Sequence, residues 1–330
     1  MSLLPLTVAC WNYDRTLPLY DGRVTIEGCD MRYFDLEPEE MFHRALHHQE
    51  FDVTELSFSN YTSMRARGDC PYIAIPIFPG RKFRHSAIYI RTDRGIKTPA
   101  DLKGKKVGAP EYQVSAVAWV RGMLKDEYGV LPTDFTWHSG GLEQAGRTEK
   151  VSFTPPAGVS LTPIPAGRTL TDMLEKGEID ALIAPRAPSC FTKKAPNVGR
   201  LFPDFVAAEK DYYKRTGIYP IMHVIGILET KLKENPWLAA SVYKAFDKAK
   251  DIALDDMRNV TIPKITHPWS DALAAEMEAL FGRDFWPYGI DANRKTIESF
   301  LRYHHEQGLS VKHLSIEEAF AASTMEQSRI

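Results

Sequence analysis

The hydrophobic pattern along the chain switches repeatedly between period two and period 3.6. Residues 6–11 form a short apolar run that reads as a first strand, and 24–33 read as a hairpin arm or second strand. Between 37 and 48, Met41, Phe42, Ala45 and Leu46 recur at helical spacing, with Pro38 near the start, which predicts a helix opened by proline. A strand over 51–56, a helix over 61–66 ending near Gly68, and a β run over 73–78 follow. Residues 85–91 read as a long strand, and 95–108 as a capped turn at Thr98, a glycine turn and a new strand. The pattern then predicts a helix over 115–128, with Ser115 or Gln113 near its cap and Gly129 just past its end. A helical turn over 170–175 closes at Gly177 and leads into a buried strand over 179–184. Helices over 237–257, 271–281 and 293–307 dominate the last third. Residues 140–167, rich in Gly, Pro, Ser and Thr, form the least regular stretch and a candidate lid or surface loop. Strands alternating with helices predict an α/β chain.

Composition narrows the partners. With 41 Lys and Arg against 43 Asp and Glu, nothing in the overall charge points to nucleic acid or a membrane surface, so any basic site must be local. The 330 residues fit one large domain or two ordinary ones. Cys10, Cys29, Cys70 and Cys190 form no Cys-x-x-Cys pair, and buried free thiols are expected. The first residues carry neither a basic segment nor a long apolar one, and no run approaches the roughly 18–20 apolar residues of a membrane span; the expectation is a cytoplasmic protein. His43 and His47 stand four apart beside His48, but without the Glu of a His-Glu-x-x-His motif, so no metal is expected. Phosphate loops, dinucleotide fingerprints, nucleophile elbows and a pyridoxal lysine signature are missing, which favours chemistry without a cofactor.

Residues 88–108 and 177–184 resemble the crossover strand and the start of the second lobe in type II periplasmic binding proteins. Residues 50–61, 79–86 and 219–224, with Pro236, Trp237 and Leu238, resemble a narrower group, the 4,5-dihydroxyphthalate decarboxylases of bacterial phthalate breakdown. The resemblance covers most of the chain and is weakest over 140–167 and the last fifteen residues. It implies an α/β, periplasmic-binding-protein type II-like fold, with two lobes and a ligand cleft between them. Residues 1–90 plus 225–330 would form one lobe and 91–224 the other, inserted lobe. It also implies a homo-oligomer that decarboxylates a small aromatic diacid, with 4,5-dihydroxyphthalate giving 3,4-dihydroxybenzoate and CO2. A non-enzymatic solute receptor is the first alternative. An enzyme resembling thiamine-pyrimidine-precursor proteins of the same fold is the second, although no His- and Cys-rich iron motif supports it.

Direct loss of CO2 from a benzoate ring leaves an aryl anion, so a workable route protonates the ring carbon first and needs an acid beside it. The acid candidates are His223, the one polar residue in an otherwise apolar returning strand, and His85. The sequence does not rank them. The second carboxylate needs a fixed cation, and Arg81 or Arg84 at an expected strand mouth supplies one. In an extended segment Arg81, Phe83 and His85 would share one face and Lys82 and Arg84 the other, so both sets cannot meet the ligand. Arg186, between two prolines, is a further anion candidate; Gln113 and Ser115 lie where a helix N-terminus would open toward the cleft. Ser57, Ser59 and Asn60 are candidates for the phenolic hydroxyls, unless they only form a turn. Trp11 would pack against the aromatic ring or into the core.

Overall fold

Each apolar run too short for a helix pairs with another, and the result is two separate sheets. The computed structural model describes residues 2–149 and 153–325. In chain order the strands are β1 (Leu4–Ala9), β2 (Cys29–Phe34), β3 (Val53–Ser57), β4 (Tyr72–Ile75), β5 (Ile88–Arg91), β6 (Lys106–Ala109), β7 (Thr136–Ser139), β8 (Ser160–Pro163), β9 (Ala181–Ile183), β10 (Val198–Arg200) and β11 (His223–Leu228). The first sheet has the order β2-β1-β3-β11-β4 and the second β10-β5-β9-β6-β7-β8. Thus the chain leaves the first sheet after β4, builds the second, and returns as β11. That strand runs antiparallel between β3 and β4, with His223 opposite Ser57 and Ile225 opposite Glu55.

Helices cover the sheets because their apolar faces have nowhere else to go. Pro38–His48 buries Met41, Phe42 and Ala45, and Ser115–Tyr128 is buried along nearly three turns, from Ser115 to Leu124. Arg294–Glu306 packs against Ser115–Tyr128, so the C-terminal part of the chain supports a helix of the inserted segment. Gly122 makes this contact possible: a Cβ there would fall 2.2 Å from the Tyr303 ring. One hydrophobic cluster runs through both sheets, from Leu6 and Val8 through Trp119 and Trp137 to Phe300 and Phe320.

Several local expectations shift. Residues 24–28 are not a strand, and β2 begins at Cys29. The helix expected from 61 starts at Phe58, so Ser59 and Asn60 stand in its first turn rather than in a loop. Residues His85–Ala87 form a 3₁₀ turn, and the strand begins only at Ile88. The alternation argued for Arg81 to His85 therefore does not apply, because the backbone turns at Arg84 instead of staying extended. The irregular stretch contains the short strand β8; its residues 150–152 lie outside the described residues. All four cysteines are free and buried, and no helix among the described residues is long and apolar enough to cross a membrane.

Candidate active site

β3 is covered on both faces, yet it carries Glu55, whose side chain is fully buried. A carboxylate in such a place needs partners. Four groups meet it. His223 Nδ1 lies 2.5 Å from Oε1 and the Tyr13 hydroxyl donates to the same oxygen at 2.7 Å; the Trp11 backbone N–H donates to Oε2 at 3.0 Å and Cys10 Sγ lies 3.3 Å from it. The pairing follows from register: Ile225 is opposite Glu55, so His223, two residues back, shares that face and reaches it diagonally. Burial alone would raise the Glu55 pKa, but the charge and hydrogen bond of His223, with the Trp11 and Tyr13 donors, hold it below the ordinary carboxylate value. Burial, and then Glu55, push the Tyr13 and Cys10 pKa values up, so both keep their protons.

His223 is thereby fixed through one nitrogen and left open at the other. Its side chain is 22% exposed, and Nε2 has no hydrogen-bond partner among the described residues. Phe42 meets the ring edge to face at 5.0 Å. Gly80 closes the other side, where a Cβ would sit 2.6 Å from Nδ1; no larger residue fits beside this ring. An imidazole braced by a buried carboxylate at Nδ1, with Nε2 free, is an arrangement able to deliver or take a proton.

Residues 80–82 run antiparallel to 220–222, with Arg81 bridged to Ile221. Here the two candidate arginines part. The Arg81 guanidinium donates to Pro287 O at 3.0 Å, Tyr219 O at 3.0 Å and Asn293 Oδ1 at 2.6 Å, and lies over the Tyr219 ring. Burial lowers its pKa to about 10. Arg81 thus ties the crossing segment to the C-terminal part and is not free to clamp an anion, contrary to the sequence expectation. Arg84 reaches only the Met222 sulfur, through Nε at 3.2 Å, and its terminal nitrogens have no acceptor among the described residues. Burial lowers its pKa to about 10 as well, opposed by Glu209. His85 is sealed between Phe202 and Tyr212, with neither ring nitrogen bonded. Burial, then Arg215, lower its pKa to about 4, so it is neutral.

Near the start of the helix Ser115–Tyr128, the Ser115 and Ser57 hydroxyls lie 3.2 Å apart, and Ser115 Oγ also accepts the Ser59 N–H at 3.1 Å. Ser57 is the direct cross-strand neighbour of His223, which brings this pair to the same end of the sheet. Just before the helix, the backbone N–H groups of Tyr112 and Gln113 both donate to the Glu149 carboxylate, the latter at 3.3 Å. Burial, then Glu111, raise the Glu149 pKa against those bonds. In the same loop Arg147 pairs with Glu111 at 2.6 Å and with Glu39, on the helix Pro38–His48, at 3.0 Å. The loop thus bridges parts of the chain attached to the two different sheets.

The chain is 44% identical over its full length, and over the full length of the relative, to a 4,5-dihydroxyphthalate decarboxylase of Comamonas testosteroni. A second relative of the same name, from Pseudomonas putida, is 49% identical over 65% of this chain and 83% of its own. The chain belongs to the 4,5-dihydroxyphthalate decarboxylase family. A profile described as an ABC transporter phosphonate periplasmic substrate-binding protein also matches residues 30–148. In fold the chain is similar to a periplasmic sulfonate-binding protein of Methylobacillus flagellatus, with a TM-score of 0.59 at 12% identity over 99% of this chain and 94% of that one. A periplasmic-binding-protein fold therefore carries this decarboxylase-family sequence.

Around this family member's His223, the remaining candidates divide. Trp11 is 40% exposed at the end of β1, with its ring against Tyr13 at 5.4 Å, so it is not a core residue. Ser57 and Ser115 join the His223 end of the sheet. Gln113 is buried, with Nε2 3.4 Å from Glu149. Ser59 is fully buried and bonded to His304 Nε2 at 2.9 Å, and Asn60 is buried in the same helix turn. Arg186 is 70% exposed, with Glu37 3.9 Å away, and belongs to the outer surface of the site at most. Sequence reasoning missed Glu55, Tyr13 and Glu149. Glu55 lies in a strand that reads as mixed polar and apolar, and Tyr13 and Glu149 lie in irregular segments, so none of the three stood out.

Proposed function

We infer that the chain removes one carboxylate of 4,5-dihydroxyphthalate as CO2 and yields 3,4-dihydroxybenzoate. The observation that carries the reading is His223, held at Nδ1 by the buried Glu55 and open at Nε2, in a sequence of this family. His223 Nε2 adds a proton to the ring carbon bearing the leaving carboxylate. The para hydroxyl passes its own proton to solvent water as its electrons enter the ring. The bond to the carboxylate then breaks, its electron pair restores the aromatic ring, CO2 departs, and the phenolate regains a proton. Glu55 orients the imidazole through Nδ1. The Ser57 and Ser115 hydroxyls serve a phenolic oxygen, and the Trp11 face covers the ring.

The retained carboxylate is bound by Arg84, whose terminal nitrogens lack a protein acceptor, and by the Tyr112 and Gln113 N–H groups. Glu149 supports that second assignment, because the groups that now hold its carboxylate suit a substrate carboxylate equally well. We further propose that the segments building the two sheets act as the two lobes, close to the 1–90 plus 225–330 and 91–224 division, with the ligand between them. Free buried cysteines suit a reducing cytoplasm, and a homo-oligomer is proposed on the family resemblance alone. Incubation with 4,5-dihydroxyphthalate, following CO2 and 3,4-dihydroxybenzoate, tests the reading. Binding without turnover would favour a solute receptor, the alternative that the periplasmic substrate-binding profile supports.

A further inference from the structure

The helix Ser115–Tyr128 carries a basic residue that the cleft does not use. Arg121 is 1% exposed; its Nε donates to Gln307 Oε1 at 2.7 Å, and Gln307 is itself anchored to Ala118 O at 3.0 Å. The guanidinium lies over the Tyr112 ring, 3.6 Å from its centre. That is where its satisfaction ends. Arg121 Nη1 and Nη2, and the Tyr112 hydroxyl beside them, have no hydrogen-bond partner among the described residues. Glu149, the carboxylate that acts on Arg121 electrostatically, is held by the Tyr112 and Gln113 amides rather than by the guanidinium. A buried guanidinium with two idle donors is an arrangement that proteins avoid unless an acceptor joins it.

These groups border a cavity of about 190 Å³. Leu131, Pro132, Pro156 and Val159 give it an apolar wall opposite the basic end. A dry cavity of about 150 Å³ already accepts benzene, so this one has room for a single ring bearing a carboxylate. Glu306 stands at the rim, but Lys125 at 2.8 Å and Arg302 at 3.2 Å neutralise it, so it does not repel an anion. None of the lining residues belongs to the Glu55–His223 cluster, although Tyr112, whose ring lines the cavity, offers its backbone N–H on the cleft side.

We propose that this cavity is a second ligand site, which takes an aromatic monocarboxylate of the benzoate class with its carboxylate on Arg121 and its ring against the proline-rich wall. The ligand class includes a dihydroxybenzoate such as the product inferred above, but the site does not depend on that reaction. Calorimetric titration of the full chain with benzoate tests it. The wild type should bind two benzoates per chain, one in the cleft and one here. Arg121→Gln should weaken one of them about ten- to hundredfold, the loss of a charge-assisted bond. Ala157→Phe, at the exposed rim of the cavity, should abolish the same one while turnover is kept. Arg84→Gln should weaken the other, so that failure of the cleft assignment is seen separately. One benzoate per chain in the wild type that Arg84→Gln removes, or two undiminished in both Arg121→Gln and Ala157→Phe, would overturn the proposal.

Discussion

His223 and His85 begin as equals, each a candidate acid near a crossing between the sheets, and they end as opposites. His223 meets a fully buried carboxylate 2.5 Å away and keeps one nitrogen open. His85 meets only aromatic rings, and neither of its nitrogens is bonded. The difference lies in the partner. A polar atom in an apolar wall becomes a reactive group when a second buried charge holds it in place and solvent or substrate can reach it; without both it becomes a neutral packing element.

The largest expected effect separates the two directly. His223→Asn should lose about 10²- to 10⁴-fold in kcat on 4,5-dihydroxyphthalate with a smaller change in KM, whereas His85→Asn should stay within about threefold. Equal losses would erase the distinction. Next comes the brace: Glu55→Gln keeps the shape but removes the charge, and kcat should fall about ten- to hundredfold with KM little changed. Undiminished turnover would reduce Glu55 to a buried ornament of the core.

The two arginines extend the contrast. Arg84→Gln should raise KM about ten- to hundredfold and leave stability alone. Arg81→Met should lower stability by about 2–3 kcal/mol, as three carbonyl-type acceptors lose their donor, and leave KM alone in the fraction that folds. Urea titrations beside steady-state kinetics would show whether those roles are reversed.

The smallest effect is on acid stability. The folded-state pKa of His85 lies at about 4, below its ordinary 6.5, so below pH 6.5 the unfolded chain takes up a proton that the folded one refuses. Stability from this residue is complete above pH 6.5 and is lost as pH falls toward 4. His304, lowered to about 3 by burial, acts in the same direction. Between pH 7 and 5.5 the loss through His85 should be about 1 kcal/mol, and His85→Leu should remove that part of the slope. Glu55 works in a lower window: its depressed pKa stabilises above 4.5 and is lost as pH falls below it. A pH-independent urea midpoint in the wild type would contradict the sealed, neutral His85.

The order of strands and helices was legible because each element obeys its own period, and the resemblance to a two-lobed fold drew on stretches where that order is clearest. His223 stood out for the same reason, as one polar residue in an apolar strand. Glu55 follows Asp52 and Thr54, so its strand reads as alternating and half exposed; only the tertiary packing over β3, including the helices Pro38–His48 and Phe58–Arg67, buries it throughout. Arg81 looked like an anion clamp because its cation run is visible in sequence, while the acceptors that consume it, Pro287 O and Asn293 Oδ1, lie more than two hundred residues away. Glu149 belongs to a loop without periodicity, so its seat on the Tyr112 and Gln113 amides had no local trace.

The central claim, that the Glu55-braced His223 delivers the proton to the ring, is tested most directly by chemical rescue. In His223→Ala, added imidazole should restore turnover in proportion to its protonated fraction, and in deuterated water the product should carry one deuterium at the carbon that lost its carboxylate. Wild-type turnover by His223→Ala without imidazole, or rescue that instead follows the unprotonated fraction, would contradict it.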